Sequence, residues 1–83
     1  MKYEVRWTET AIKQLKKLDK ATTKTIIDCV EEAKSDPFRF LKKLQSVPLY
    51  SLRVGHYRVI LSVERNNLVI LDVGHRDKIY LKY

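Results

Sequence analysis

The chain has 83 residues, a single cysteine and a formal net charge of +7. One small domain, spanning residues 1–83, is all that length supports, and a lone Cys29 excludes an internal disulfide or a cysteine metal cluster. No run approaches the roughly 18 apolar residues of a membrane span, and "MKYEVRWTET" alternates apolar and polar residues unlike a signal peptide, so a cytoplasmic protein off the membrane is expected.

Tyr3, Val5 and Trp7 alternate with Lys2, Glu4 and Arg6, the period of a strand with one buried face. Thr8 is placed to cap a first helix, in which Ala11, Ile12, Leu15 and Leu18 form an apolar stripe opposite Lys13, Lys16 and Lys17. Asp19 caps a second helix with Ile26, Ile27, Val30 and Ala33 as its stripe. Asp36-Pro37 ends it, because a residue before proline disfavours helix. Trp7 and Cys29 are assigned to the core.

The period then changes. "LYSLRV", "YRVILSVE" and "LVILDVG" are rich in β-branched, aromatic and aliphatic residues, with breaks at Gly55-His56 and Asn66-Asn67 that suit two-residue turns. The expected fold is α+β: an N-terminal strand, a helical hairpin, then a three-stranded antiparallel meander. All strands join one sheet, with two helices packed on one face.

A turn at 55-56 pairs Val54 with Tyr57 and Arg53 with Arg58. Tyr50 and Tyr57 then fall on the core face, while Ser51, Arg53, Arg58, Ile60 and Ser62 take the other. A turn at 66-67 puts Val63 opposite Ile70 and His75 opposite Arg58. The expected result is a row, Arg53, Arg58 and His75, with Arg76 and Lys78 just beyond the last strand. Like charges facing each other destabilise a sheet. Guanidinium forks match phosphate oxygens, however, so an anion would relieve the repulsion. Charge agrees with this. Residues 1–40 hold nine Lys/Arg and seven Asp/Glu, a net of +2, whereas residues 41–83 hold eight and three, a net of +5. Such a surface attracts nucleic acid, an anionic membrane or an acidic protein.

The hairpin "LRVGHYRVI", the later "VGHRDKIY" and the opening "YEVRWTETAIKQLKKLDK" together resemble the RelE/ParE superfamily of bacterial and archaeal toxins, over nearly the whole chain. The resemblance implies the toxin of a type II toxin–antitoxin system. In the RelE-like branch this is a ribosome-dependent endoribonuclease that cleaves mRNA in the A site by 2′-OH attack on the adjacent phosphate, without metal or cofactor. It further implies a cognate antitoxin with an acidic or amphipathic wrapping segment, contact with rRNA, and operator DNA only through the antitoxin. Carried over residue by residue, Arg53, Arg58 and Arg76 bind the scissile phosphate, and Tyr80 stacks on a base or takes the 2′-OH proton. His75 either transfers a proton or orients the chain leaving the strand, and Tyr83 is a substitute for Tyr80. Lys42, Lys43, Lys78, Lys13, Lys16 and Lys17 are candidate RNA and ribosome contacts or solvated charges. His56 reads as a surface residue.

The chain departs from the pattern in places. The strongest ribonucleases of the family carry lysines on the strand that here holds neutral Ser51. The spacing from Arg76 to Tyr80 is shorter than in some members. A chain ending at Tyr83 leaves no room for a long terminal helix, which implies a groove for the antitoxin. Two alternatives stand beside the nuclease: a ParE-like DNA gyrase poison, and a catalytically weak chain that acts mainly as a regulatory, antitoxin-binding partner.

Overall fold

A computed structural model describes residues 3–79 and 81–83. The elements run β1 (Glu4–Trp7), α1 (Glu9–Lys16), α2 (Lys20–Ala33), α3 (Pro37–Phe40), β2 (Leu41–Lys43), β3 (Tyr50–Val54), β4 (Tyr57–Glu64), β5 (Asn67–His75) and α4 (Arg76–Ile79). They form one five-stranded sheet in the order β1-β5-β4-β3-β2. β1 runs parallel to β5 and the other neighbours are antiparallel. No helix among the described residues is long and apolar enough to cross a membrane.

The expected caps form. Thr8 accepts from Ala11 N–H at 3.3 Å, and its hydroxyl donates to Ile70 O at 2.7 Å, so one residue starts α1 and ties it to β5. Asp19 accepts from Thr22 N–H at 3.1 Å and from the Thr22 hydroxyl at 2.6 Å, which holds its carboxyl below the usual carboxylate range. Each helix presents a narrower stripe than its sequence suggests. Ala11 and Leu15 are buried while Ile12 is 40% exposed; Ile26, Val30 and Ala33 are buried while Ile27 is 38% exposed. These helices meet the sheet along an i, i+4 line, and a residue one step round the helix points away from it. The core lies between the helices and one sheet face, with Leu52, Val54, Val59, Leu61, Leu68, Ile70 and Val73 from the strands. Trp7 and Cys29 pack against it as expected. Burial pushes the Cys29 thiol up, with Glu32 and Asp28 adding to the effect, which suits packing rather than nucleophilic chemistry.

Two corrections bear on the site. First, a short strand not foreseen, β2, pairs with β3, setting Lys42 opposite Ser51 and Lys43 opposite Tyr50. Second, the β4–β5 register differs. The turn is Arg65-Asn66, with Arg65 in the left-handed region at φ 58°, and Asn67 opens β5 opposite Glu64. Val63 therefore faces Leu68, not Ile70, and a bulge between Ile60 and Leu61 re-phases the rest. Arg58 then faces Gly74, and His75 faces Tyr57. Facing residues share a side, so one residue of net slip moves His75 to the helix side of the sheet. The row Arg53, Arg58 and His75 does not form.

Candidate functional site

The sheet face turned away from α1 and α2 carries two adjoining rows. One runs Asp72, Ile60, Ser51, Lys42; the next runs Gly74, Arg58, Arg53. Gly55, at φ +60°, makes the tight turn that sets Arg53 directly opposite Arg58, as the sequence predicts. Arg58 is half-buried and is braced by the backbone of that turn. Its Nη1 donates to Tyr57 O at 3.1 Å and Gly55 O at 3.4 Å. Arg53 is exposed and has no side-chain hydrogen bond or ion pair among the described residues.

Arg76 reaches the same end through its backbone. Its N–H donates to His56 O at 2.8 Å, fastening the start of α4 to the β3–β4 turn. From there α4 folds over the arginine face, and a Cβ placed on Gly74 would lie 3.5 Å from Ile79. Among the described residues the Arg76 side chain has only an exposed contact, Nε to Asp77 Oδ1 at 3.6 Å, which is worth little. Lys78 is exposed on the same helix. The backbones of Arg53, Arg58 and Arg76 thus meet at one corner of the molecule. Gly74→Ala is expected to leave stability near wild type, since 3.5 Å is ordinary contact. Gly74→Leu is expected to push Ile79 and α4 off the sheet, and faster limited proteolysis after residue 74 would report it.

The other candidates divide. Lys42 joins the arginine face beside Ser51, so a neighbouring strand supplies a cation where Ser51 itself is neutral. Lys43 pairs with Tyr50, on the helix side. Lys13, Lys16 and Lys17 belong to α1 or its C-terminal cap, across the sheet from the arginines, and Lys13 is paired with Glu9 at 3.2 Å. The His75 ring packs edge-on to Tyr57 at 5.7 Å and stacks on His56 at 6.1 Å. Its Nδ1 accepts from Asp77 N–H at 3.3 Å, a bond that turns the chain from β5 into α4. Tyr80 lies outside the described residues.

One cluster went unforeseen. Asp72 is buried on the arginine face, 6% exposed. Its carboxylate accepts from Gln14 Nε2 at 2.5 Å, Tyr83 OH at 3.1 Å and Lys82 Nζ at 3.3 Å. Gln14 Oε1 in turn accepts from Val73 N–H at 2.6 Å, completing the edge of β5 where β1 has ended. A lone carboxylate inside the apolar run "LVILDVG" is the signal that could have found it. Burial and then Asp72 raise the pKa of the Tyr83 phenol above the ordinary 10.0, so Tyr83 is a donor to Asp72 and a poor base. A raised folded-state pKa means that this tie is fully present below the unfolded phenol's range. It is lost as pH climbs through the folded value. An alkaline absorbance titration should therefore show Tyr83 ionising above the ordinary phenol range, and Tyr83→Phe should remove that contribution. No group of three or more His, Cys, Asp or Glu side chains that could hold a metal ion occurs among the described residues.

Comparison with known proteins agrees with the fold. Residues 5–80 match the family model described as the ParE toxin of type II toxin–antitoxin system, parDE. A chain of the RelBE2 toxin–antitoxin complex from Mycobacterium tuberculosis is 30% identical, with 92% of this chain and 100% of that one covered and a TM-score of 0.85. A chain of the archaeal RelE–RelB complex from Pyrococcus horikoshii is 26% identical, with 94% and 99% covered and a TM-score of 0.75. A mutant of the E. coli toxin RelE in the free state has the same fold, at 22% identity, 99% and 92% coverage and a TM-score of 0.81. No curated protein sequence matches the chain.

Proposed function

This chain belongs to the ParE toxin family of type II toxin–antitoxin systems, and we propose that it is a RelE-like toxin that cleaves mRNA in the ribosomal A site. The observation that carries the reading is the opposed pair of exposed Arg53 and half-buried Arg58, with Lys42 beside it and Arg76 fastened to the same corner. A sheet tolerates two facing guanidiniums most readily where an anion bridges them, and an RNA phosphodiester is such an anion.

In this reading the ribose 2′-OH gives up its proton as its oxygen bonds to phosphorus. The P–O5′ bond breaks and the leaving oxygen is protonated, giving a 2′,3′-cyclic phosphate and a 5′-OH. Arg53, Arg58 and Arg76 stabilise the negative charge that builds on the phosphorane oxygens, the role a metal ion takes in other nucleases. Tyr80, outside the described residues, is the proposed base for the 2′-OH proton. His75, on the helix side and bonded to Asp77 N–H, is assigned the orienting role. Lys78 is proposed to hold RNA from α4; Lys13, Lys16 and Lys17, across the sheet, meet ribosomal RNA if they meet RNA at all. A ribosome-acting toxin works in the cytoplasm, restrained by a cognate antitoxin whose acidic or amphipathic segment suits a chain of net charge +7. Two of the solved relatives come from toxin–antitoxin complexes, which supports such a partner.

Incubation with programmed ribosomes tests the reading: cut message at the A-site codon is expected, and intact message with folded protein overturns it. The family model's own description favours a second reading, a ParE-like gyrase poison. Inhibition of gyrase supercoiling with no cleavage on ribosomes would select it. Growth unaffected by expression of the chain alone would select the regulatory role instead.

A further inference from the structure

We infer that the β2 edge of the sheet, with the exposed Phe38 and Phe40 beside Arg39 and Lys42, is a single-stranded RNA track that continues the phosphate site outward from Arg53 and Arg58. The inference rests on the RNA-cleaving reading above and adds to it where the strand runs. The first observation is the distribution of charge. Residues 37–63, from α3 into β4, hold Arg39, Lys42, Lys43, Arg53 and Arg58 and no Asp or Glu. Three of the helix cations are paired locally, Lys13 with Glu9, Lys24 with Asp28 and Lys34 with Glu31, at 3.2, 2.9 and 3.3 Å. Among the described residues no carboxylate pairs with Arg39, Lys42 or Lys43. One half of the sheet is therefore a field of a single sign, which attracts a polyanion.

The second observation separates a nucleic acid from other polyanions. "PFRFLKK" interleaves aromatic and basic side chains at the sheet's open edge. Phe38 is 56% exposed and Phe40 36% exposed. Phe38 packs edge-on against Tyr50 at 5.6 Å, and the Arg39 guanidinium lies 5.6 Å from the Phe40 ring centroid. Partly exposed rings of this kind are stacking platforms for unpaired bases, and the cations between them suit the backbone. Lys42 links the two parts. It shares the arginine face, about 7 Å along the strand direction and about 5 Å across it from Arg53, a separation suited to a neighbouring phosphate. A purely acidic segment without apolar side chains would use the cations and leave the rings unfilled.

Fluorescence anisotropy with the full chain and an oligouridylate of about eight nucleotides tests this. Lys42→Met is expected to weaken binding and lower the slope of log affinity against log salt by roughly 0.7, the loss of one single-strand phosphate contact. Lys24→Met, an equal change of charge on α2, should leave the slope unchanged. Phe38→Leu with Phe40→Leu is expected to weaken binding about tenfold or more at an unchanged slope, since stacking and not charge is removed. Circular dichroism confirms that each variant is folded. Wild-type protein that ignores the oligomer, or binding indifferent to these variants, overturns the inference. An oligoglutamate that binds with the same dependence on Lys42, while the oligouridylate does not, assigns the edge to an acidic protein instead. If Arg53→Ala weakens oligomer binding and the edge variants do not, the track is wrong and the cleavage reading stands. If the edge variants lose binding yet wild type leaves ribosome-bound message intact, the track stands and the cleavage reading falls.

Discussion

Arg58→Ala is expected to slow cleavage of ribosome-bound mRNA by about 10²-fold or more, with the melting temperature little changed. The split follows from what Arg58 does in the free protein. Its Nη1 bonds to Gly55 O and Tyr57 O hold the half-buried side chain on the hairpin. Across the ladder stands Arg53, and removing one of two facing cations relieves repulsion of about a few tenths of a kcal/mol. That gain offsets much of what the lost turn bonds contributed. In the transition state no such offset exists, because the phosphorane charge meets one guanidinium fewer. Arg58→Lys should rescue poorly, since a point charge does not reproduce the fork. Adding Arg53→Ala should multiply the loss by less than its own single effect, because both side chains serve one phosphate. Inorganic phosphate should raise the melting temperature of wild type, and this shift should vanish in Arg58→Ala. Full activity of folded Arg58→Ala would remove the basis of the nuclease reading.

That pairing is legible in the sequence because one residue dictates it. Gly55 is a turn former flanked by two alternating runs, and a two-residue turn allows a single register. The next hairpin offers no such anchor. "ERNNL" holds several turn formers, and only the structure shows that Arg65, not Asn67, takes the left-handed position. Nor does anything in "YRVILSVE" mark a bulge between Ile60 and Leu61; it arises from how β4 and β5 meet, not from local preference. Its consequence for function is large, since it separates His75 from the arginines. β2 is hidden for another reason. Three residues are too few for a period, and the loop over residues 44–49, closed by the bond from Leu44 N–H to Leu49 O, separates it from its partner. Lys42 therefore reads as a charge before the hairpin, when it is a member of the site face. Asp72 and Gln14 show the same limit: their meeting spans 58 residues of chain, which no local pattern encodes.

Ile60→Ala is expected to destabilise the fold by about 2–5 kcal/mol, measured by urea denaturation, although Ile60 points away from the helices. Its position decides this. Ile60 is fully buried but does not belong to the core between sheet and helices; Ile79, 2% exposed, is outside that core too. On the same row Ser51 and Asp72 are 5% and 6% exposed. This face is thus a second, smaller packed layer, covered by α4 and by the tail that Lys82 and Tyr83 tie to Asp72. Deleting methylenes there removes transfer free energy and leaves a gap in that layer. A small domain holds only about 5–15 kcal/mol in total, so the variant should melt roughly 10 °C or more below wild type. Ile60→Val should lose only about 0.5–1.5 kcal/mol. The two substitutions also probe the site, because α4 carries Arg76 and Ile60 lies two residues from Arg58 on one strand. If the layer is what holds Arg76 at the arginine corner, cleavage by Ile60→Ala should fall at temperatures where circular dichroism still reports a folded chain. A loss below about 1 kcal/mol, less than truncating a buried isoleucine to alanine ordinarily costs, would mean that α4 does not pack on this face, and Arg76 would then be held at the arginine corner only by its backbone bond to His56 O.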